Sequence, residues 1–349
     1  MKRITLFSLF IFVGSMMIFS GCSNKTNKSG KLKINGAGAT FPYVIYSKWF
    51  DVYHQKTGIE FNYQSIGSGG GVRQVIAGTV DFGASDAPMK DSEIKQVKDK
   101  LGKDILHIPT VMGAVVLAYN LKSVGKGLKL TPSVLSDIFL GKIKKWNDKR
   151  IKSINKDKNL PNENIIVAHR SDGSGTTNIF TDYLSKVSKE WKEKVGTGKA
   201  VSWPAGLGGK GNEGVAGLVK QTDGTIGYVE LAYAVQNNLN YAILQNKAGY
   251  FVDASFNSVS AAAEGSLATL PEDLRVSITN ADGKDSYPIS GFTWLLVYSK
   301  IDNKQKKDAI VNFLNWALTD GEKYAESLYY APLPKKVVEL CKAKVKLIK

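Results

Sequence analysis

Apolar positions recur along most of the chain in short blocks that are separated by glycine-rich turns. Residues 31–35 predict a short strand, and the residues after Pro42 predict an amphipathic helix, because proline suits a first helical turn. We expect Gly58 to end that helix. The spacing i, i+3, i+4 and i+7 predicts its buried face, which is formed by Tyr46, Trp49, Phe50 and Tyr53.

The order of strand, glycine-rich turn and helix then repeats. Residues 59–64 predict a strand that runs into the glycines of 67–71. The helix after them has one apolar face, formed by Val72, Val75 and Ile76. Residues 165–168 predict a third such strand, which leads through 170–177 into the helical pattern of 178–187. This repetition is typical of layered α/β folds, in which ligands bind at strand carboxyl ends and helix N-termini.

Further short apolar runs complete the predicted α/β pattern. Strands are predicted at 80–84, 105–109, 113–119, 225–230, 242–244 and 293–298. Helices are predicted at 134–140, 213–220, 306–318 and 321–328. The segment 202–213 is also rich in glycine, but it lacks the spacing of a phosphate-binding P-loop. We therefore interpret it as a structural turn before a helix.

The segment 170–177 has the sequence RSDGSGTT, which is typical of an anion-binding turn. Gly173 and Gly175 let the backbone N–H groups approach a ligand, and the neighbouring hydroxyls add donors. Arg170 supplies a full positive charge and a planar fork suited to oxyanions. An ordinary capped turn before a helix has a similar composition and remains an alternative at this point.

Composition narrows the class of protein. The chain has 349 residues, of which 43% are hydrophobic, so it can bury a large core and is long enough for two domains or lobes. Its net charge is 47 − 31 = +16. The lysines are spread widely and no nucleic-acid-binding motif is present in the sequence. We therefore expect a solvated basic surface and no nucleic-acid partner.

The N-terminus has the pattern of a signal peptide over residues 1–22, with a basic start and an apolar stretch that is short for a membrane span. The small residues before Cys22 resemble a bacterial lipobox, which predicts lipidation of Cys22 and export to the periplasm or the outer cell surface. An uncleaved anchor, a free thiol at Cys22 and a disulfide with Cys341 are the alternatives. Residues 23–31 predict a flexible tether.

Catalytic, metal and cofactor patterns are missing from the sequence. Gly36-x-Gly38 begins like a dinucleotide fingerprint, but Phe41 stands where its last glycine belongs. The histidines and cysteines lack the spacing of metal ligands. His169 is next to Arg170 in a predicted strand, so we expect its side chain to point away from the site. We predict a protein that is not an enzyme and that needs no cofactor.

Two aspartates, Asp86 and Asp172, lie close in sequence to the predicted anion donors. Asp172 is suited to hold Arg170 in place. Asp86 can accept a hydrogen bond from a ligand that carries a proton, and near neutral pH phosphate is protonated while sulfate is not. Asp86 can equally cap the turn before Pro88.

Five motifs in a fixed order resemble the phosphate-binding proteins of phosphate-specific ABC importers. They are GAGATFP (36–42), IGSGGG (66–71), VDFGASDAP (80–88), RSDGSGT (170–176) and WPAGLGGKGN (203–212). The resemblance implies an α/β, two-lobed periplasmic-binding-protein fold of type II. Each lobe would be a mixed β-sheet flanked by helices, with a two-strand hinge between the lobes.

The same resemblance implies the site and the lobes. The implied phosphate ligands are Thr40, Phe41, Ser68 and Asp86 from one lobe, and Arg170, Ser174, Gly175 and Thr176 from the other. Asp86 would accept the phosphate proton, and Asp172 would brace Arg170. The first lobe would comprise 31–110 and 288–349, and the second 111–287. We expect a monomer, held to a membrane by its lipid, that delivers phosphate to permease subunits.

Other functions fit the residues taken alone. One is a receptor for another oxyanion or for a phosphorylated metabolite, which needs a roomier cleft. Another is a secreted phosphatase or phosphotransferase, and a third is a surface adhesin that has kept a binding fold, since a fold does not fix a function.

Overall fold

Twelve strands and twelve α-helices make up most of the computed structural model, which describes residues 32–267 and 270–349. The strands are β1 (Lys33–Gly38), β2 (Glu60–Ser65), β3 (Phe82–Ser85), β4 (Ile105–Tyr119), β5 (Lys129–Leu130), β6 (Ile166–Arg170), β7 (Leu207–Gly209), β8 (Thr225–Glu230), β9 (Asn240–Tyr241), β10 (Ile243–Gln245), β11 (Phe251–Val252) and β12 (Ser290–Tyr298). The helices are α1 (Tyr43–Thr57), α2 (Ser68–Ala77), α3 (Asp91–Leu101), α4 (Pro132–Phe139), α5 (Lys149–Ile154), α6 (Gly175–Val187), α7 (Lys189–Lys194), α8 (Gly211–Gln221), α9 (Leu231–Gln236), α10 (Phe256–Glu264), α11 (Lys304–Trp316) and α12 (Lys335–Val345).

One large mixed sheet carries the fold. Its strand order is β2-β1-β3-β12-β4-β8-β6-β7, and β9 pairs with β4 at one side. Strands β1, β2 and β3 are parallel, and so are β6, β7 and β8. Strands β12 and β4 lie between the two groups. The three pairings along this path, β3 with β12, β12 with β4 and β4 with β8, are all antiparallel, so the two groups run in opposite directions. Contacts between the carboxyl ends of the two groups therefore require the sheet to curl.

Strand β4 corrects the sequence prediction of two strands at 105–109 and 113–119, because it is continuous over 15 residues. Pro109 lacks an N–H and therefore cannot donate a hydrogen bond within the sheet. In the structure the register with β12 shifts between Thr293 and Trp294, so that Thr110 is left out of the pairing. This irregularity has the form of a β-bulge, which accommodates the proline without ending the strand.

The predicted face of α1 is confirmed. Its four aromatic side chains are buried, and Gly58 ends the helix in the left-handed conformation at φ 74°. They pack in an aromatic layer in which Phe50 lies 5.2 Å from Phe61 and Phe61 lies 4.6 Å from Phe313, measured between ring centroids. This layer fixes α1 and α11 on one face of the sheet, and so it positions the N-terminus of α1.

The predicted helix at 321–328 is wrong. The indole N–H of Trp49 donates to the carbonyl of Gly321 over 2.8 Å, and the N–H of Ala325 turns instead to the carbonyl of Glu322. A tertiary contact therefore replaces the α-helical bond at this point. The segment forms a π-helical turn at Ala317–Gly321 and 3₁₀ turns at Glu322–Tyr324 and Glu326–Leu328.

The predicted signal peptide at 1–22, its Cys22 and the tether at 23–31 lie outside the described residues. Cys341 is a free, buried thiol in the part of the chain that the structure describes. Within 32–267 and 270–349, every helix is too short or too polar to cross a membrane.

Candidate anion-binding site

The residues that the sequence predicted to bind an anion lie together at strand ends. Thr40 and Phe41 follow β1, Ser68 follows β2, Asp86 follows β3, and Arg170 ends β6. The other three form the turn from β6 into α6, and they are Ser174, Gly175 and Thr176. Apart from Gly175, which has no side chain, each of these residues exposes at most 3% of its surface. The site is thus buried.

Three helices begin at the site, namely α1, α2 and α6. Among the described residues, the backbone N–H groups of Phe41, Ser68 and Thr176 donate to no other group of the chain. The hydroxyl of Ser174 caps α6 by accepting the N–H of Thr177 over 3.0 Å. Free N–H groups at helix N-termini carry partial positive charge, so this arrangement favours an anion.

Arg170 supplies the full positive charge of the site, and its side chain is only 1% exposed. Its Nε and Nη2 donate to the two oxygens of Asp172 over 2.7 and 2.6 Å. Burial alone raises the pKa of Asp172, but the hydrogen bonds and charge of Arg170 outweigh it and hold the pKa below its usual value. Asp172 therefore stays ionised and fixes the guanidinium, whose Nη1 points to the Thr176 hydroxyl at 3.4 Å.

Asp86 is a carboxylate placed among these donors. Its Oδ1 accepts the Thr293 hydroxyl over 2.8 Å, and its backbone N–H donates to Ser68 Oγ over 3.2 Å. Burial raises the pKa of Asp86 to about 7, although Thr293 and the charge of Arg170 each lower it. The group can therefore hold or release a proton near neutral pH.

The two groups of parallel strands meet directly at this site. The N–H of Gly175 donates to Ser68 Oγ over 3.0 Å, and the N–H of Gly69 donates to the carbonyl of Gly173 over 2.8 Å. The first turn of α2 and the glycine-rich turn that precedes α6 are therefore in backbone contact. In the described ranges, no group of three His, Cys, Asp or Glu side chains is placed to hold a metal ion.

Comparison with known proteins identifies the family. Residues 23–321 match the PBP superfamily domain. The phosphate-binding protein PstS of Pasteurella multocida is 49% identical over 314 residues, which cover 90% of each chain. PstS of Methanocaldococcus jannaschii is 43% identical over 349 residues, covering 93% of this chain and 89% of that protein. The chain belongs to the PstS family of phosphate-binding proteins.

A solved structure agrees with the PstS assignment at the level of the fold. A high-affinity periplasmic phosphate-binding protein (PfluDING), determined with bound phosphate, superposes with a TM-score of 0.71 at 20% identity. The match covers 89% of this chain and 93% of that one. The predicted α/β periplasmic-binding-protein fold is confirmed, and in the structure it takes the form of a curled mixed sheet flanked by helices.

The sequence analysis missed Asn212. It lies at the start of α8, in the segment 202–213 that we interpreted as purely structural, and it is completely buried. Its side-chain Nδ2 lies 2.8 Å from Thr40 Oγ1 and 3.2 Å from Thr176 Oγ1. One signal was available in the sequence, because 202–213 is a further glycine-rich turn that opens a helix.

His169 lies outside the site, as predicted. Its ring stacks on Trp203 with a centroid distance of 4.9 Å, while the side chain of Arg170 turns to the opposite side toward Asp172. Alternation along β6 explains this separation. His169 therefore packs against Trp203 on the other face of β6 and is not one of the donors in the site.

Proposed function

We propose that the chain binds inorganic phosphate outside the cytoplasm and delivers it to the permease subunits of an ABC importer. The observation that carries the proposal is the buried carboxylate of Asp86 among anion donors. Arg170 and three helix N-termini favour an anion, whereas a carboxylate favours one that still carries a proton. Phosphate meets both conditions near neutral pH. Membership of the PstS family supports the same assignment.

In this proposal the ligands fall into two sets. The backbone N–H groups of Phe41 and Ser68 and the hydroxyls of Thr40 and Ser68 hold phosphate from one side, while Asp86 accepts its proton. From the other side come Arg170, the hydroxyl of Ser174, the N–H of Gly175 and both donors of Thr176. Asp172 braces Arg170. In this structure the N–H of Gly175 donates to the hydroxyl of Ser68. An oxygen of bound phosphate would compete with that hydroxyl for the same N–H.

The depth of the site favours a small ion over a phosphorylated metabolite. The predicted ligand residues that have a side chain are each at most 3% exposed. The N–H of Gly69 donates to the carbonyl of Gly173, so backbone covers the site at this point. An isolated oxyanion is therefore the ligand that fits.

We further propose two lobes that close on the ion, with residues 31–110 and 288–349 in one and 111–287 in the other. The pairing of β4 supports this division, since β4 pairs with β12 up to Ala114 and with β8 from Val115 onward. The second crossing runs beside the first, because the N–H of Val115 donates to the carbonyl of Ile289 over 2.8 Å. Two adjacent crossings form a hinge.

Export and anchoring complete the proposal. We infer that residues 1–22 direct export and that lipid on Cys22 holds the protein at a membrane. Cys22→Ala is expected to release the protein from the membrane fraction into the soluble extracytoplasmic fraction. Retention of the variant in the membrane fraction would exclude this anchor.

Titration calorimetry with inorganic phosphate tests the binding function. One phosphate is expected to bind per chain, and a generic phosphate monoester such as p-nitrophenyl phosphate is expected neither to bind tightly nor to be hydrolysed. Turnover of the ester would favour the phosphatase alternative. Delivery is tested by phosphate uptake in cells that lack the chain, which its return is expected to restore.

A further inference from the structure

Asn212 connects the two sides of the anion site through its side-chain amide. Nδ2 lies within hydrogen-bond distance of two hydroxyls, those of Thr40 and Thr176, which follow β1 and β6 respectively. All three residues are buried. A buried amide between two predicted ligand residues calls for a role beyond the packing of a turn.

The orientation of this amide is fixed by the backbone around it. Oδ1 of Asn212 lies 2.9 Å from the N–H of Glu230, which can only donate. The oxygen must therefore face Glu230, and the NH₂ group must face the two threonines. The backbone N–H of Asn212 also donates to Thr40 Oγ1, over 3.2 Å.

These contacts decide the direction in which each hydroxyl bonds. A hydroxyl has one hydrogen and two lone pairs. Thr40 Oγ1 accepts two hydrogen bonds from Asn212, one from its backbone N–H and one from Nδ2. Thr176 Oγ1 accepts one hydrogen bond from Asn212 Nδ2 and one from Arg170 Nη1 at 3.4 Å. Both oxygens thus have their acceptor capacity filled. Each can use its hydrogen only as a donor to another partner.

We propose that Asn212 is a positioning residue that makes the hydroxyls of Thr40 and Thr176 obligatory donors to the bound anion. This inference rests on the proposed function. Because the amide is neutral, it orients both hydroxyls without offsetting the negative charge by which Asp86 selects a protonated anion. A carboxylate of the same shape would accept from both hydroxyls and draw them away from the ligand.

Calorimetry with inorganic phosphate on a double-mutant cycle tests the inference. Asn212→Ala and Thr40→Val are each expected to weaken phosphate binding by about tenfold or more, the size of a hydrogen bond to a charged group. If Asn212 acts through the two hydroxyls, its removal should cost less affinity in the Thr40→Val background than in the wild type, because only the Thr176 hydroxyl is then left to orient. Asn212→Asp should be weaker than Asn212→Ala. Losses that multiply, or an affinity unchanged in Asn212→Ala, would overturn the inference.

Controls separate this outcome from a fold defect and from failure of the proposed function. Asn155→Ala removes another buried amide, which bonds the carbonyls of Lys129 and Ile151. It is expected to lower thermal stability and to leave phosphate affinity unchanged. Should Asn212→Ala not fold, Asn212→Ser replaces it in the cycle with the same expectation. Failure of the wild-type chain to bind phosphate would contradict the proposed function itself, whereas binding with an additive cycle contradicts only the role of Asn212.

Discussion

Gly175 donates its backbone N–H to the hydroxyl of Ser68 over 3.0 Å, although 107 positions separate the two residues in the chain. Only a residue without a side chain permits this approach. A Cβ atom on Gly175 would lie 2.5 Å from Ser68 Oγ and 2.6 Å from Asp86 Oδ2. This contact between the two sides of the site therefore requires glycine at position 175.

Gly175→Ala is expected to weaken phosphate binding by about 5- to 150-fold, matching the roughly 1–3 kcal/mol cost of overpacking a tight contact. Calorimetry measures the loss. Gly217→Ala in α8 is the matched control, because a Cβ there meets nothing within 4 Å. It should bind phosphate normally and melt slightly higher, since alanine favours a helix. Normal phosphate affinity in Gly175→Ala would refute this account of the contact.

Sulfate rejection should depend on pH through Asp86. Burial raises its pKa to about 7, and only the ionised carboxylate repels an anion that has no proton to donate. Sulfate should therefore compete better with phosphate as the pH falls from about 8 to about 5.5. Asp86→Asn should show weak rejection throughout this range. In Asp137→Asn, which disrupts a pair with Arg150 elsewhere, the wild-type pH dependence should remain.

An ion pair at the edge of the site should slow ligand release. Lys199 Nζ lies 2.9 Å from Glu93 Oε1, with side chains 15% and 20% exposed, and it joins α3 to the loop whose carbonyl accepts the N–H of Ser174. Lys199→Met is expected to speed phosphate dissociation about three- to tenfold in stopped-flow measurements. Lys95→Met, which breaks an exposed pair with Asp99, should change nothing. Equal rates in the two variants would contradict the prediction.

Glu322 is half-buried as a residue, but both of its carboxylate oxygens are buried, so it should give the folding stability a distinct pH dependence. Burial raises its pKa to about 8, so the folded state keeps a proton that the unfolded chain releases above about pH 4.3. The contribution to stability is full below that pH and is lost as the pH rises toward 8. In urea denaturation without phosphate, the free energy of unfolding of Glu322→Gln should rise relative to that of the wild type between about pH 5 and about pH 8. Parallel pH profiles would contradict this assignment.

Much of the fold could be predicted from local pattern. The apolar spacing of α1 and the alternation of β2 survive in the structure because each element buries one regular face. Helix α3 was not predicted, since only Val97 of its residues is fully buried and its pattern is almost entirely polar. Strand β4 was divided at Pro109 because the bulge that tolerates the proline depends on pairing with β12, almost two hundred positions away in sequence.

The sequence indicated the candidate site as a set of residues and not as a geometry. Five motifs indicated Thr40, Ser68, Asp86 and Arg170 because their resemblance to a family is carried by short contiguous segments. The contact between Ser68 and Gly175 depends on the curl of the sheet, which no local pattern encodes. Asn212 escaped notice for the same reason, since its role follows from two hydroxyls that are distant in sequence.

Competition between phosphate and sulfate tests the central claim most directly. At about pH 8, where Asp86 is largely ionised, one phosphate should bind per chain and an excess of sulfate of about 100-fold should barely reduce the binding heat. Calorimetry of the purified protein, with sulfate present and absent, gives both quantities. Comparable affinities for the two anions would contradict the account of a site that selects phosphate through a buried carboxylate.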